Sequence, residues 1–230
     1  MNDTGHMRPS PLRPGILALL LVTGGLLMGA CGGDAPDASS QTASNDLSLD
    51  VDTVLTDTTY ALVNQDSTTR SLPDAFLGTP VVLGSIYTSC PNICPQITTN
   101  MKAVRDSLDT PEAVQFVSVT FDPQRDTPAR LRAYQRKFDL QDTDWQFLTG
   151  PPDTIDRLLD RLGVRRRVEG TDREFPASDT SDYIFRHSNQ ITLIDAQGRV
   201  RAEYGGSQTP PSLIVHDLEK IQSSPSPNDS

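Results

Sequence analysis

The fold of this chain is decided by the stretch PVVLGSIYTSCPNICP at residues 80–95. Its first eight residues form a nearly continuous apolar run, which is typical of a central strand buried on both faces. Pro95 can start a helix, and apolar residues follow it at the three- and four-residue spacing of one helix face. The stretch therefore predicts a buried strand, a loop with two cysteines, and a helix over residues 96–108.

Strand and helix patterns alternate on both sides of this unit. Residues 60–63 and 68–71 flank a turn and predict an N-terminal hairpin. The patterns on the C-terminal side predict strands at 114–121, 145–148, 190–194 and 199–204, and helices from 127, at 155–162 and at 211–221. This order predicts the α/β class, with a central mixed β-sheet flanked by helices.

The overall composition is acidic. The chain has 230 residues and a formal net charge of −10. An acidic surface repels a phosphate backbone, so we expect no nucleic acid among the partners. No repeat or second low-complexity break interrupts residues 53–222, which we expect to form one domain.

The first 30 residues have the form of an export signal. Arg8 and Arg13 precede an apolar run that ends in small residues directly before Cys31. The run is shorter than the roughly 20 residues of a membrane-spanning helix, which favours cleavage. The small residues before the cysteine resemble the bacterial lipobox, so we predict a lipoprotein signal peptide at 1–30 and lipid on the sulfur of Cys31. A plain signal peptide or an uncleaved anchor is the alternative.

The predicted lipid anchor indicates the location of the protein. The mature chain would be exported and held through Cys31 on the outer face of the cytoplasmic membrane, facing the periplasm or the cell exterior. Residues 31–52 contain few large apolar side chains and predict a flexible tether. Residues 223–230 consist of Ser, Pro, Asn and Asp and predict a disordered tail.

Cys90 and Cys94 are the only cysteines left once Cys31 is lipidated. They follow the predicted buried strand, and a helix N-terminus stabilises a nearby thiolate. We therefore expect Cys94 to be primed for metal binding or for disulfide exchange. A structural disulfide is the alternative, although closing so short a loop contributes only about 2 kcal/mol on the chain-entropy model.

Two thiolates need a further ligand to hold a metal ion. The mature chain offers His187, His216 and Met101 as other soft or borderline donors, so a closed four-ligand zinc site is hard to build. Two thiolates and one imidazole suit Cu(I), and Cu(II) can add an oxygen ligand. His216 lies within a predicted helix, where a surface role is expected, whereas His187 lies just before a predicted strand and can face other strand ends.

Five segments together resemble the Sco/SenC family of copper chaperones for cytochrome c oxidase. They are YTSCPNICP at 87–95, FDPQRDTP at 121–128, LTG at 148–150, DYIFRHS at 182–188 and LID at 193–195. The resemblance covers roughly residues 53–222. It implies a thioredoxin-like fold.

The resemblance also implies a site and a partner. Cys90, Cys94 and His187 would hold one copper ion, Cu(I) or Cu(II). The protein would deliver copper to the copper-bearing subunit of cytochrome c oxidase, or reduce the cysteines of that subunit, and another copper chaperone is also a possible partner. Asp122 is expected to support the site because it follows a strand that should end near the cysteine loop, although an ordinary turn before a proline also explains it.

Two further positions carry expectations. Many family members have an acidic residue directly before the histidine, whereas this chain has Arg186, a charge expected to weaken Cu(II) binding or to change the partner. Asp126 is expected to cap the helix that begins at Thr127 and Pro128.

Two other functional classes use the same features. A thiol-disulfide oxidoreductase would use Cys90 and Cys94 as attacking and resolving thiols. A general thioredoxin is disfavoured, because three residues separate the cysteines and no proline precedes Gln190. The third class is an adaptor that only docks an oxidase subunit, for which the Cys and His residues have no use. The protein would be an enzyme only if it acts as a thiol-disulfide oxidoreductase.

Overall fold

The computed structural model of the protein describes residues 53–170 and 183–223. The predicted signal peptide, Cys31, the tether and the end of the tail lie outside the described residues. No helix in the two described ranges has the length and apolar character needed to cross a membrane.

Ten strands and four α-helices make up the described chain. The strands are β1 (Thr53–Val54), β2 (Tyr60–Asn64), β3 (Thr69–Leu72), β4 (Val81–Ile86), β5 (Gln115–Thr120), β6 (Gln146–Thr149), β7 (Arg166–Val168), β8 (Phe185–His187), β9 (Gln190–Ile194) and β10 (Arg199–Gly205). The helices are α1 (Ile93–Asp106), α2 (Pro128–Lys137), α3 (Pro152–Arg161) and α4 (Pro211–Ser223).

Eight of the described strands form one mixed sheet, in the order β1-β10-β9-β4-β5-β6-β2-β3. The three central strands β4, β5 and β6 are parallel, and the pairings outside them are antiparallel. The hairpin of β2 and β3 joins the sheet through β6. This arrangement confirms the predicted mixed α/β sheet with an N-terminal hairpin. A separate ladder pairs β7 with β8.

Strand β4 lies in the middle of the sheet and leads into the cysteine loop. All six of its residues are buried, so both faces of the sheet are covered at this point. Helix α1 packs closely on it at Gly84, where an added Cβ would lie 2.5 Å from the sulfur of Met101. The apolar run of the sequence is thus the centre of the core, and the loop that follows it is held between a rigid strand and a rigid helix.

Three local features differ from the sequence-based expectation. Helix α1 begins at Ile93 rather than near residue 96, because a proline is tolerated throughout the first turn, where the N–H groups have no intrahelical partner. The ladder of β7 and β8 was not predicted, and His187 ends β8 instead of lying in a loop. Helix α4 runs one residue into the predicted tail, to Ser223.

Candidate metal centre

Two neighbouring cysteines and a histidine from a distant part of the chain meet at one end of the central strands. Cys90 lies in the loop after β4, Cys94 in the first turn of α1, and His187 at the end of β8. Their ligand atoms all lie within 4.8 Å of one another. The His187 Nε2 atom is 3.9 Å from the Cys90 sulfur and 3.6 Å from the Cys94 sulfur. Both cysteines are free thiols, and both are buried.

The ring of His187 is oriented by its backbone and by aromatic neighbours. Its Nδ1 lies 2.7 Å from the carbonyl oxygen of Ser188. A carbonyl oxygen only accepts, so Nδ1 carries the hydrogen and Nε2 presents its lone pair toward the two sulfurs. The ring packs against Phe121 at 4.6 Å and Tyr87 at 5.9 Å between centroids. The imidazole is therefore held in the tautomer that a metal ligand requires.

The two thiols differ in their electrostatics. The backbone N–H of Cys94 donates to the Cys90 sulfur at 3.3 Å. Hydrogen bonding with the Cys94 thiol, and secondarily with backbone N–H groups, lowers the pKa of Cys90 to about 3, although burial acts in the opposite direction. Burial, and then the adjacent Cys90 sulfur, raise the pKa of the Cys94 thiol. The thiolate at the start of α1 is thus Cys90, and the expectation that Cys94 is the primed thiolate is wrong, because the free amide of the helix faces the Cys90 sulfur.

The donor set fits a soft metal ion. With metal–sulfur bonds of about 2.3 Å and metal–nitrogen bonds of about 2.0 Å, taken from zinc, donors 120° apart lie about 3.7 Å from each other. The observed nitrogen–sulfur separations of 3.9 and 3.6 Å bracket that value. Two thiolates and one imidazole suit copper in a low coordination number, whereas a structural zinc site requires a fourth ligand. Within the described ranges, no fourth Cys, His, Asp or Glu belongs to this group.

A buried ion pair secures the strand that carries His187. The carboxylate of Asp122 pairs with Arg125 and accepts the hydroxyl hydrogen of Tyr183 at 2.5 Å. The Arg125 guanidinium lies over the Tyr183 ring at 3.6 Å and donates to the Tyr183 carbonyl oxygen. Asp122 therefore bonds no ligand residue directly. It connects the loop after β5 to the start of β8, and any support that it gives His187 passes through Tyr183 and Phe185.

Asp126 performs a different task from the predicted helix cap. Its carboxylate accepts the Thr88 N–H at 3.0 Å, the Thr88 hydroxyl at 2.5 Å and the Thr120 hydroxyl at 2.5 Å. The cap of α2 is Thr127, whose hydroxyl accepts the N–H of Arg130. The expected cap at Asp126 is wrong. Thr127 lies directly before the proline at the first helical position, and its hydroxyl already accepts a free N–H of the first turn. Asp126 instead holds the cysteine loop at Thr88, two residues before Cys90.

Most of this chain matches one known protein family. A family model described as SCO1/SenC matches residues 51–223. The chain belongs to this family. The "SCO1 protein homolog" of Bacillus subtilis is 26% identical over 165 residues, which cover 70% of this chain and 79% of that protein. A "putative copper-binding protein" of Stutzerimonas stutzeri is 32% identical over 118 residues, which cover 50% of this chain and 52% of that protein.

A solved structure carries the same fold. The SCO1/SenC family lipoprotein of Bacillus anthracis is 27% identical, with a TM-score of 0.60 over 72% of this chain and 94% of that one. The thioredoxin-like fold implied by the sequence is confirmed. This chain spans about half the length of the Stutzerimonas stutzeri relative.

The other expected donors of this SCO1/SenC protein lie away from the site. Met101 is buried beneath Gly84, and His216 is exposed on α4. Arg186 is exposed, and since neighbours in a strand point to opposite faces, its side chain projects away from the ring of His187. The charge expected to disturb the metal is therefore directed elsewhere.

Sequence reasoning missed the aromatic surroundings of His187. Tyr87 and Phe121 pack against the ring, and Phe185 and Tyr183 extend this aromatic group. A signal for it is present in the sequence. Residues 183–187 alternate between inward aromatic or imidazole side chains and exposed ones, which is the two-residue period of a strand.

Proposed function

We propose that this protein is a copper chaperone that binds one copper ion through Cys90, Cys94 and His187 and assists assembly of the copper centre of cytochrome c oxidase. The observation that carries the proposal is the convergence of two sulfurs and one imidazole nitrogen within 4.8 Å. Membership of the SCO1/SenC family supports it, as does the name of the Stutzerimonas stutzeri relative. The partner is the copper-bearing oxidase subunit or another copper chaperone.

Copper is the cargo of this site, so the protein must both hold and release it. His187 offers Nε2 because Nδ1 is committed to the Ser188 carbonyl oxygen. Cys90 is already ionised, whereas Cys94 keeps its proton until an ion replaces it. Loading therefore releases a proton from Cys94, and reprotonation of that buried sulfur favours release of the ion.

The location of the site is part of the proposal. We place the chain outside the cytoplasmic membrane, anchored through lipid on Cys31 after removal of residues 1–30. The form of the N-terminal sequence supports this, and the related Bacillus anthracis protein is named as a lipoprotein. A tether of about 20 residues gives the domain freedom to reach a membrane-bound partner.

Reduction of the partner's cysteines is a second candidate function. A specific observation favours it, since the lowered pKa of Cys90 makes this sulfur an attacking thiolate with Cys94 beside it as the resolving thiol. The two functions are compatible, because both use the same sulfurs. They differ in their need for His187.

Anaerobic titration of the full-length mature protein with Cu(I) tests the proposal. We expect one equivalent to bind when the cysteines are reduced, and no tight binding when they form a disulfide. His187→Ala should weaken Cu(I) binding by at least tenfold and remove most Cu(II) binding, because two donors remain. It should retain much of the rate at which the protein reduces a disulfide.

The matched control is His216→Ala, which removes an exposed imidazole on α4 and should leave copper affinity unchanged. Unchanged copper affinity in His187→Ala would show that the ligand assignment is wrong. Loss of disulfide exchange together with copper binding in that variant would show instead that the ring serves thiol chemistry.

A further inference from the structure

An open groove of about 330 Å³ runs beside the cysteine loop. One wall is the loop itself, at Thr88 and Ser89, which directly precede Cys90. The other wall is one face of α2, where the lining residues Arg130, Ala133, Tyr134 and Lys137 follow the three- and four-residue spacing of a helix. The groove therefore borders the two residues that precede Cys90.

The charge of this groove is opposite to that of the protein. The chain carries −10, yet the two charged residues in the lining are the cations Arg130 and Lys137. Neither forms an ion pair with an acidic side chain anywhere in residues 53–170 or 183–223. On the same helix, Arg132 is used internally, since it donates to the Gln65 carbonyl oxygen and pairs with Asp66.

The walls of the groove are fixed in place. Thr88 is held by the buried carboxylate of Asp126, and the Tyr134 hydroxyl bonds the Thr98 hydroxyl at 3.0 Å. The backbone that carries the two exposed cations is therefore held in place relative to the cysteine loop, so the cations favour anionic groups beside that loop. The exposed hydroxyl of Ser89 adds a hydrogen-bond donor on the facing wall.

We propose that this groove binds an acidic segment of the partner protein, placing the partner's own cysteines over Cys90. The inference rests on the proposed function and adds the charge of the surface that the partner presents. A protein segment is favoured over a lipid headgroup, because Cys90 is only 9% exposed and its neighbours Ser89 and Pro91 are exposed, so a partner that reaches Cys90 also contacts the chain beside it. The complementary charges raise the association rate and fix the orientation of the partner.

Disulfide-bonded peptides test this without copper. Three probes share one internal disulfide between two cysteines, flanked by Asp, by Asn or by Lys. The Cys90 thiolate attacks one peptide sulfur, and Cys94 then attacks the mixed disulfide. The Cys90–Cys94 bond forms, the peptide disulfide breaks, and the peptide takes two electrons and the proton of Cys94. Stopped-flow rates with the reduced full-length mature protein are the readout.

We expect the Asp-flanked peptide to react about three- to tenfold faster than the Asn-flanked one at low ionic strength, and the Lys-flanked one more slowly than both. The Arg130→Ala/Lys137→Ala variant should lose this preference and keep its rate with the Asn-flanked peptide. The matched control is Arg136→Ala/Arg157→Ala, which removes two exposed cations outside the groove and should keep the preference.

Equal rates for the three peptides overturn the inference. An equal loss of the preference in the control variant also overturns it, because the preference would then come from the overall electrostatic field of the protein. Binding of phosphatidylglycerol vesicles that is lost only in the groove variant, without a peptide preference, would assign the groove to lipid and also overturn it. Cu(I) titration of the same variants is independent. If the unmodified protein binds no Cu(I), the copper proposal fails while the peptide result stands.

Discussion

At the scale of single residues, Cys90 and Cys94 differ in what surrounds their sulfur atoms. The Cys90 sulfur receives the Cys94 N–H and lies beside the imidazole, whereas the Cys94 side chain is fully buried. The pKa of Cys90 is lowered to about 3 and that of Cys94 is raised. One sulfur therefore carries charge in the metal-free protein, and the other carries the proton.

Alkylation with iodoacetamide should distinguish the two sulfurs. In the reduced, metal-free protein we expect the Cys90 rate to stay nearly constant between pH 5 and 8, because a thiol with a lowered pKa is already ionised throughout this range. Cys94 should remain unlabelled. Mass spectrometry of quenched samples gives both rates, and Cys90→Ser is the control that should abolish fast labelling. A rate that rises about tenfold per pH unit would instead indicate an ordinary thiol.

At the scale of elements, the site depends on two loops joined by one carboxylate. Asp126, in the loop after β5, accepts three hydrogen bonds from Thr88 and Thr120 and so positions the loop after β4. Burial raises the pKa of Asp126, so its negative charge is costly at this position. Its three donors offset that cost. The geometry of the cysteine loop is thus determined by a residue 36 positions beyond Cys90 in sequence.

Replacing Asp126 should therefore affect both stability and the site. Asp126→Ala leaves the Thr88 N–H without its acceptor and should lower the free energy of unfolding by about 2–3 kcal/mol. Asp126→Asn keeps an acceptor without the charge and should lose less. Urea denaturation measures this, and Cys90 alkylation at pH 6 reports whether the loop has shifted.

The control for this pair is Asp142→Ala, which removes an exposed carboxylate and should change neither quantity. Equal stabilities for Asp126→Ala and the unmodified protein would mean that the loop is held by other contacts.

At the scale of the whole molecule, the candidate metal centre joins parts of the chain that are far apart. Cys90 and His187 are 97 positions apart, on the loop after β4 and on β8. The unfolded chain does not hold these donors together, so copper binds the folded state preferentially. Binding to one state stabilises it in proportion to the logarithm of the ligand concentration over the dissociation constant.

Copper should therefore raise the thermal stability of the protein. At a free Cu(I) concentration a hundred times the dissociation constant, the gain is about 2.7 kcal/mol, which corresponds to a rise in Tm of roughly 5–10 °C for a domain of this size. Differential scanning calorimetry under reducing, anaerobic conditions measures it. A Cu(I) chelator should reverse the shift, and His187→Ala should reduce it. A shift of equal size in His187→Ala would contradict the proposed ligand set.

The sequence by itself determined the class of the fold and the chemistry of the donors. The apolar run over residues 80–87 predicts a strand buried on both faces without information from the rest of the chain, because this prediction depends on local composition. The same holds for the soft sulfur donors at 90 and 94. Helix starts were predicted less well, since the first-turn proline does not indicate which residue of the turn it occupies.

The tertiary structure alone decided which cysteine is ionised, what Asp126 binds and how His187 is oriented. Each of these depends on an atom from another element: the amide of α1 on the Cys90 sulfur, Thr88 and Thr120 on the Asp126 carboxylate, and the aromatic rings around the imidazole. Sequence spacing does not predict that residues 90 and 187 lie side by side, because only tertiary packing brings them together. A sequence thus names the candidate ligands, and packing determines their protonation and orientation.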